Sequence, residues 1–177
     1  FAQGPIGLCA TAGARLSGAT TIIAIDGNPH RLDIARKLGA DVALNFRECD
    51  VVDEIMKLTG GRGVDASIEA LGTQSTFASA LRVLKPGGTL SSLGVYSEDL
   101  TLPLSAFAAG LGDHKINTAL CPGGKERMRR LINVLESGRL DLGLLVTHQF
   151  KLDDIVAAYE LFANQRDNVL KVAVKPH

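Results

Sequence analysis

Six residues at the start of the chain, Ala2-Gln3-Gly4-Pro5-Ile6-Gly7, have the spacing of a G-x-G-x-x-G turn with alanine in place of the first glycine. Leu8 to Leu16 follow as a helix of small residues. In a strand–turn–helix setting the middle glycine lets the backbone approach a pyrophosphate, and the last lets the helix pack closely on its sheet. The helix N-terminus adds unpaired N–H groups and a positive dipole end, both suited to phosphate. Pro5 has no N–H, so the amides of Ile6 and Gly7 are the expected donors. Asp26 stands nineteen residues after Gly7, just past the apolar run Thr20–Ile25. A carboxylate there can accept both hydroxyls of an adenosine ribose and repels a 2′-phosphate, which favours NAD over NADP. Read blandly, Asp26 caps the next helix. Asn28-Pro29 already supplies that cap, which leaves Asp26 for the ribose.

Other chemistries fit less well. A Walker loop needs GxxxxGK[ST], and no such string occurs. A methyltransferase turn usually has an acid in or just before it, where this chain has Phe1-Ala2-Gln3. Cys9, Cys49 and Cys121 form no CxxC pair, and the four histidines form no HxH or HExxH. That is neither a disulfide framework nor a local zinc site, and it points to a reducing compartment. Cys49, Cys121 and His148 stay open only as a distant constellation. The run Lys125–Arg130 reads as a solvated helix face above a buried stripe of Met128, Leu131, Ile132 and Leu135. Phe77, Phe107, Phe150 and Phe162 read as core or interface, not as a base-stacking platform.

The elements that must position the turn follow from the apolar pattern. Strand runs are expected at 20–25, 42–45, 64–70, 89–93, 115–120 and 169–174, with helices near 5–18, 30–38, 51–59, 75–84, 124–137 and 152–162. This alternation implies βαβ units and an α/β fold, a doubly wound parallel sheet in a Rossmann-type three-layer sandwich. Residues 1–177 read as one domain. Hydrophobic residues make up 46% of the 177, enough for a core, and the net charge of +0 argues against a whole-chain nucleic-acid or membrane surface. No apolar stretch is long enough to span a bilayer.

Taken together, several strings resemble the coenzyme domain of zinc-dependent medium-chain alcohol dehydrogenases. They are Ala2–Leu8, Ile23–Asp26, Arg31-Leu32, Leu38–Asp41, Gly63–Asp65, Leu84–Gly88 and Leu120–Gly124. The resemblance covers essentially the whole chain. It implies cofactor contacts from Gly4, Pro5, Ile6, Gly7, Asp26 and Arg31 at the phosphates and adenosine ribose. Leu71 and Gly72 would flank the adenine, while Leu93, Gly94, Val95, Ala119 and Cys121 would lie at the nicotinamide carboxamide. Lys171 would reach the pyrophosphate.

The family's catalytic zinc is held by strings that do not occur here. The resemblance therefore implies NAD bound by this chain, zinc bound only in a longer parent, and no catalytic or metal-ligating residue within 1–177. It also implies a truncated first strand, an absent N-terminal catalytic domain and no alcohol oxidation by the chain alone. A primary or secondary alcohol, or its carbonyl product, is the expected small-molecule partner. A cytoplasmic homodimer or homotetramer is expected, with 115–120 and 102–111 as candidate contact segments. The rival readings are a zinc-independent quinone or enoyl reductase and a non-catalytic nucleotide-binding module.

Overall fold

The computed structural model describes residues 1–102, 105 and 112–176. It forms two compact units, Phe1–Gly124 and Lys125–His177. The first runs α1 (Pro5–Leu16), β1 (Ile23–Asp26), α2 (Pro29–Lys37), β2 (Val42–Asn45), α3 (Val51–Leu58), β3 (Val64–Glu69), α4 (Gln74–Arg82), β4 (Leu84–Ser92) and β5 (Lys115–Thr118). The second holds α5 (Lys125–Glu136), β6 (Val146–Lys151), α6 (Ile155–Ala163) and β7 (Lys171–Lys175).

Local chemistry explains the helix starts. Asn28 accepts from the His30 amide at 2.9 Å with Pro29 at the first helical position. Asp50 takes the amides of Val52 and Asp53, and Thr73 that of Thr76. These caps satisfy amides that a helix cannot bond internally. Only one of the first four helices differs: α1 begins at Gly4 with no side-chain cap.

All strand pairs are parallel, and three of them are joined through a helix, as the alternation predicted. The α/β class is borne out. The described strands nevertheless fall into three hydrogen-bonded sets, β1-β2, β3-β4-β5 and β6-β7, not one continuous sheet. Strand β6 is absent from the sequence-based expectation, and Lys85–Gly88, expected as a turn, lies inside β4 as a bulge. Leu84 pairs with Val64, but the next rung joins Thr89 to Ala66, so the intervening residues loop out. The stripe Met128, Leu131, Ile132 and Leu135 on α5 is exposed, not buried as expected. The amphipathic pattern is present, but no residue of α5 is buried among the described residues. Most of segment 102–111, with Phe107, lies outside the described residues.

Two core clusters support the first unit. Phe77, Ala80, Leu81, Leu84 and Leu90 form one, and Ile25, Ile55 and Val83 the other. Burying a Leu or Phe completely stabilises by about 1.5–3 kcal/mol. Phe1 packs against both clusters. Its amino group donates to Ile68 O at 2.7 Å, and its carbonyl accepts from Ala70 N at 3.1 Å. This is one rung of parallel pairing on the free edge of β3. Below that rung the facing edges of β1 and β3 border a groove of about 800 Å³, lined by Ile23, Ile25, Val64, Ala66 and Ile68 among others.

Candidate functional site

The register aligns the C-terminal ends of three strands, with Glu69 opposite Ser92 and Ser92 opposite Thr118. Asp26 ends β1, opposite Asn45. Ligands of open parallel sheets bind outside such ends. The residues that follow them are Leu71-Gly72, Leu93-Gly94-Val95, and Ala119 with Cys121. The rung at Phe1 brings the Ala2–Gly7 turn to the same end.

That turn is held by its own backbone. Ala2 has φ 65°, the left-handed region, at the position where the motif usually has glycine. A non-glycine residue there costs about 1–2 kcal/mol. Glycine would give back part of this through its larger unfolded-state entropy. Ala2→Gly is therefore expected to raise the melting temperature by about 2–4 °C, read in a thermal melt. Gln3 is 3% exposed. Its amide donates to Asp26 Oδ2 at 2.6 Å, and its side-chain oxygen accepts from Thr11 on α1 at 2.9 Å. Sequence reasoning missed Gln3, because burial of a polar side chain leaves no local signal.

Asp26 is 7% exposed. Its Oδ1 accepts from Asn28 N at 2.8 Å, and Arg31 Nη1 lies 4.0 Å from Oδ2. A carboxylate offers about four lone-pair sites. Two backbone N–H groups occupy two, so two remain for hydroxyl donors. Arg31 Nε is buried and has no hydrogen-bond partner. Asn28 caps α2 as predicted, but Asp26 also braces the turn through Gln3, so its structural and ligand-binding readings coexist.

The second acid at this end was not foreseen. Glu69 is fully buried, and its carboxylate accepts from Leu71 N at 2.8 Å, Gly72 N at 2.9 Å, Thr76 Oγ1 at 2.8 Å and Tyr96 Oη at 2.7 Å. Its backbone oxygen takes Leu93 N at 2.8 Å. Burial pushes its pKa up, but the hydrogen bonds from Gly72, Tyr96, Thr76 and Leu71 outweigh this and hold it below the ordinary 4.5. Tyr96 is pushed up to about 12, by burial first and then by Glu69. A β-carbon at Gly72 would strike the Val95 carbonyl, and one at Gly94 would lie 2.5 Å from Glu69 Oε2. The two turns therefore meet backbone to backbone.

A depressed carboxylate pKa stabilises the fold above its ordinary value, and that share is lost as pH falls from about 4.5 through the folded value. Thermal melts between pH 6 and pH 3 are expected to show a shallower decline for Glu69→Gln than for the unaltered chain. Equal slopes would remove Glu69 from the acid sensitivity.

Val95 and Leu120 are strongly exposed, and Ala119 and Cys121 are exposed. Lys171 is exposed and opens β7 opposite Val146 in the second unit. Among the described residues no group of three or more His, Cys, Asp or Glu could hold a metal ion. No helix among them is long and apolar enough to cross a membrane.

Residues 5–137 match the model of a family described as zinc-binding dehydrogenase. The chain belongs to the zinc-binding dehydrogenase family. An alcohol dehydrogenase of Cupriavidus necator is 88% identical over 177 residues, which are 100% of this chain and 48% of that protein. An NADP-dependent isopropanol dehydrogenase of Thermoanaerobacter brockii is 40% identical over 174 residues, 97% of this chain and 49% of that one. The solved structure of zinc dependent alcohol dehydrogenase 2 from Streptococcus pneumonia superposes with a TM-score of 0.88 at 32% identity, covering 98% of this chain and 50% of that one. The chain spans about half the length of the curated relatives it matches. Its α/β fold is the Rossmann type of these dehydrogenases, and membership implies a nicotinamide dinucleotide and zinc in the parent enzyme. The described residues of this zinc-binding dehydrogenase chain do not fit the zinc. They fit the dinucleotide through an uncapped helix N-terminus and a buried acid with open lone pairs.

Proposed function

We propose that residues 1–177 are the dinucleotide-binding domain of an alcohol dehydrogenase that transfers hydride between a primary or secondary alcohol and NAD. The carrying observation is Asp26, buried behind the Gly4–Gly7 turn with two lone pairs uncommitted. In this reading those lone pairs take the adenosine ribose hydroxyls, and the charge disfavours a 2′-phosphate. The amides of Ile6 and Gly7 take the pyrophosphate at the open end of α1. Gly4 and Pro5 let it approach, and Arg31 flanks the ribose. Leu71 and Gly72 border the adenine and its ribose. Backbone groups of Leu93, Gly94, Val95, Ala119 and Cys121 orient the nicotinamide carboxamide.

The dinucleotide supplies the hydride acceptor, and this chain's residues bind and orient it. The electrophile that polarises the alcohol, together with most of the substrate pocket, belongs to the rest of the parent enzyme in this reading. Cys9, Cys49 and Cys121, none in a disulfide, accord with a reducing cytoplasm. Strand β5, exposed at each of its residues, is the surface offered for a homodimer or homotetramer.

Titrating NADH fluorescence against the chain tests the cofactor reading. Saturable binding is expected, tighter for NADH than for NADPH, and its absence defeats the assignment. Supplied with zinc, NAD and an alcohol, the chain alone is expected to show no turnover. Measurable oxidation would mean that the catalytic ligands lie within 1–177.

A further inference from the structure

We propose that Glu69 is a positioning residue that holds the adenine-side turn and the nicotinamide-side turn of the cofactor site in one fixed arrangement. This rests on the cofactor reading above and adds to it a residue that touches no ligand. The two buried acids at the strand ends differ in a countable way. Asp26 accepts two hydrogen bonds from the protein, whereas Glu69 accepts four, three on Oε1 from Leu71 N, Gly72 N and Thr76 Oγ1 and one on Oε2 from Tyr96 Oη. Glu69 is fully buried with both oxygens engaged by the protein, so it acts through what it holds.

It holds groups from separate segments. Oε1 collects the turn after β3 and the first turn of α4, while Oε2 takes Tyr96, just beyond Leu93–Val95. Tyr96 is braced in turn by Ser92 Oγ at 2.7 Å and by an edge-on contact with Phe77, ring centroids 6.0 Å apart. The Glu69 backbone oxygen adds Leu93 N. Gly72 and Gly94 lack β-carbons where the two turns touch, so the turns lock only when both are glycine and the acid joins them. A dinucleotide long enough to span both turns gains from their fixed spacing, because it need not order them on binding. A mononucleotide that meets only the first turn gains nothing from the Tyr96 arm.

That difference sets the experiment, performed on the full chain with NADH and AMP as probes. Tyr96→Phe removes the Oε2 bond and the Ser92 bond with it, and leaves every Oε1 bond in place. It is expected to raise the NADH dissociation constant about tenfold and to leave that for AMP within twofold. Glu69→Ala is expected to weaken both ligands at least tenfold. Glu69→Gln keeps the Oε1 acceptor and is expected to restore both to within about threefold of the unaltered chain. Any other pattern for Tyr96→Phe overturns the proposal, including equal weakening of both ligands, which is the mark of a merely structural residue. No NADH binding by the unaltered chain overturns the cofactor reading and this inference together. Tight NADH binding that is indifferent to Tyr96→Phe overturns this inference alone.

Discussion

Asp26→Ala is expected to weaken NADH binding by about a hundredfold while leaving NADPH binding almost unchanged or improved. Hydrogen bonds to a charged acceptor contribute about 1.5–3 kcal/mol each, and two ribose hydroxyls lose theirs. Set against reordering of water at the emptied site, a net loss of about 2.7 kcal/mol corresponds to that factor. The 2′-phosphate of NADPH meets the opposite change. A negative charge is removed, and Arg31, whose Nη1 lies 4.0 Å from the carboxylate, becomes free to face a phosphate. The substitution also strips acceptors from the Gln3 and Asn28 amides, so the chain should melt at a lower temperature. The ratio of the two affinities is therefore the readout, because a loosened turn would weaken both ligands together. Parallel losses for NADH and NADPH would make Asp26 a brace and nothing more. The isopropanol dehydrogenase relative is named as NADP-dependent, so the preference of this chain is a property to be measured on it directly.

The second large effect separates two glycines of one turn. At Gly7 a β-carbon would overlap the Ala2 carbonyl oxygen, which is rigid backbone. Gly7→Ala should therefore lower stability by about 3 kcal/mol and abolish NADH binding along with it. Gly4 is different: its φ of −68° is ordinary for any residue, and no atom lies within 4 Å of where a β-carbon would stand. Nothing in the fold asks for glycine there. In the proposed reading the requirement comes from a pyrophosphate that approaches the backbone closely. Gly4→Ala is expected to melt within about 2 °C of the unaltered chain. Its NADH affinity should nevertheless fall at least tenfold, as measured by fluorescence titration. Unchanged affinity in Gly4→Ala would remove the phosphate from this turn.

What could be read from sequence was what local spacing encodes. The turn at Ala2–Gly7, the cap at Asn28-Pro29 and the acid at Asp26 all depend on neighbours a few residues away, and the structure has each in its expected setting. Strand and helix order was legible for the same reason. Glu69 and Gln3 were not legible. Each is a polar residue whose importance comes from complete burial among partners up to 27 positions distant. Tyr96 escaped notice because its role depends on Glu69. Strand β6 carries Val146-Thr147-His148-Gln149-Phe150, a mixed string without strong punctuation, and only pairing with β7 defines it. The stripe on α5 shows the reverse failure, in which periodicity announced an apolar face correctly but not whether anything covers it.

The groove between β1 and β3 has a consequence for what the chain can pair with. Two parallel edges face one another with alternate backbone N–H and C=O groups unpaired, and Phe1 supplies a single rung at one end. Unpaired edges template further strands, and proteins ordinarily blunt them with charge, proline or a covering element. Here the walls are apolar at Ile23, Ile25, Val64, Ala66 and Ile68, and Arg62, Asp65 and Lys85 are the charged residues along them. The opening that interrupts the sheet thus offers backbone partners on both sides to an extended segment, and those charges are what blunts its pairing with other copies of the chain.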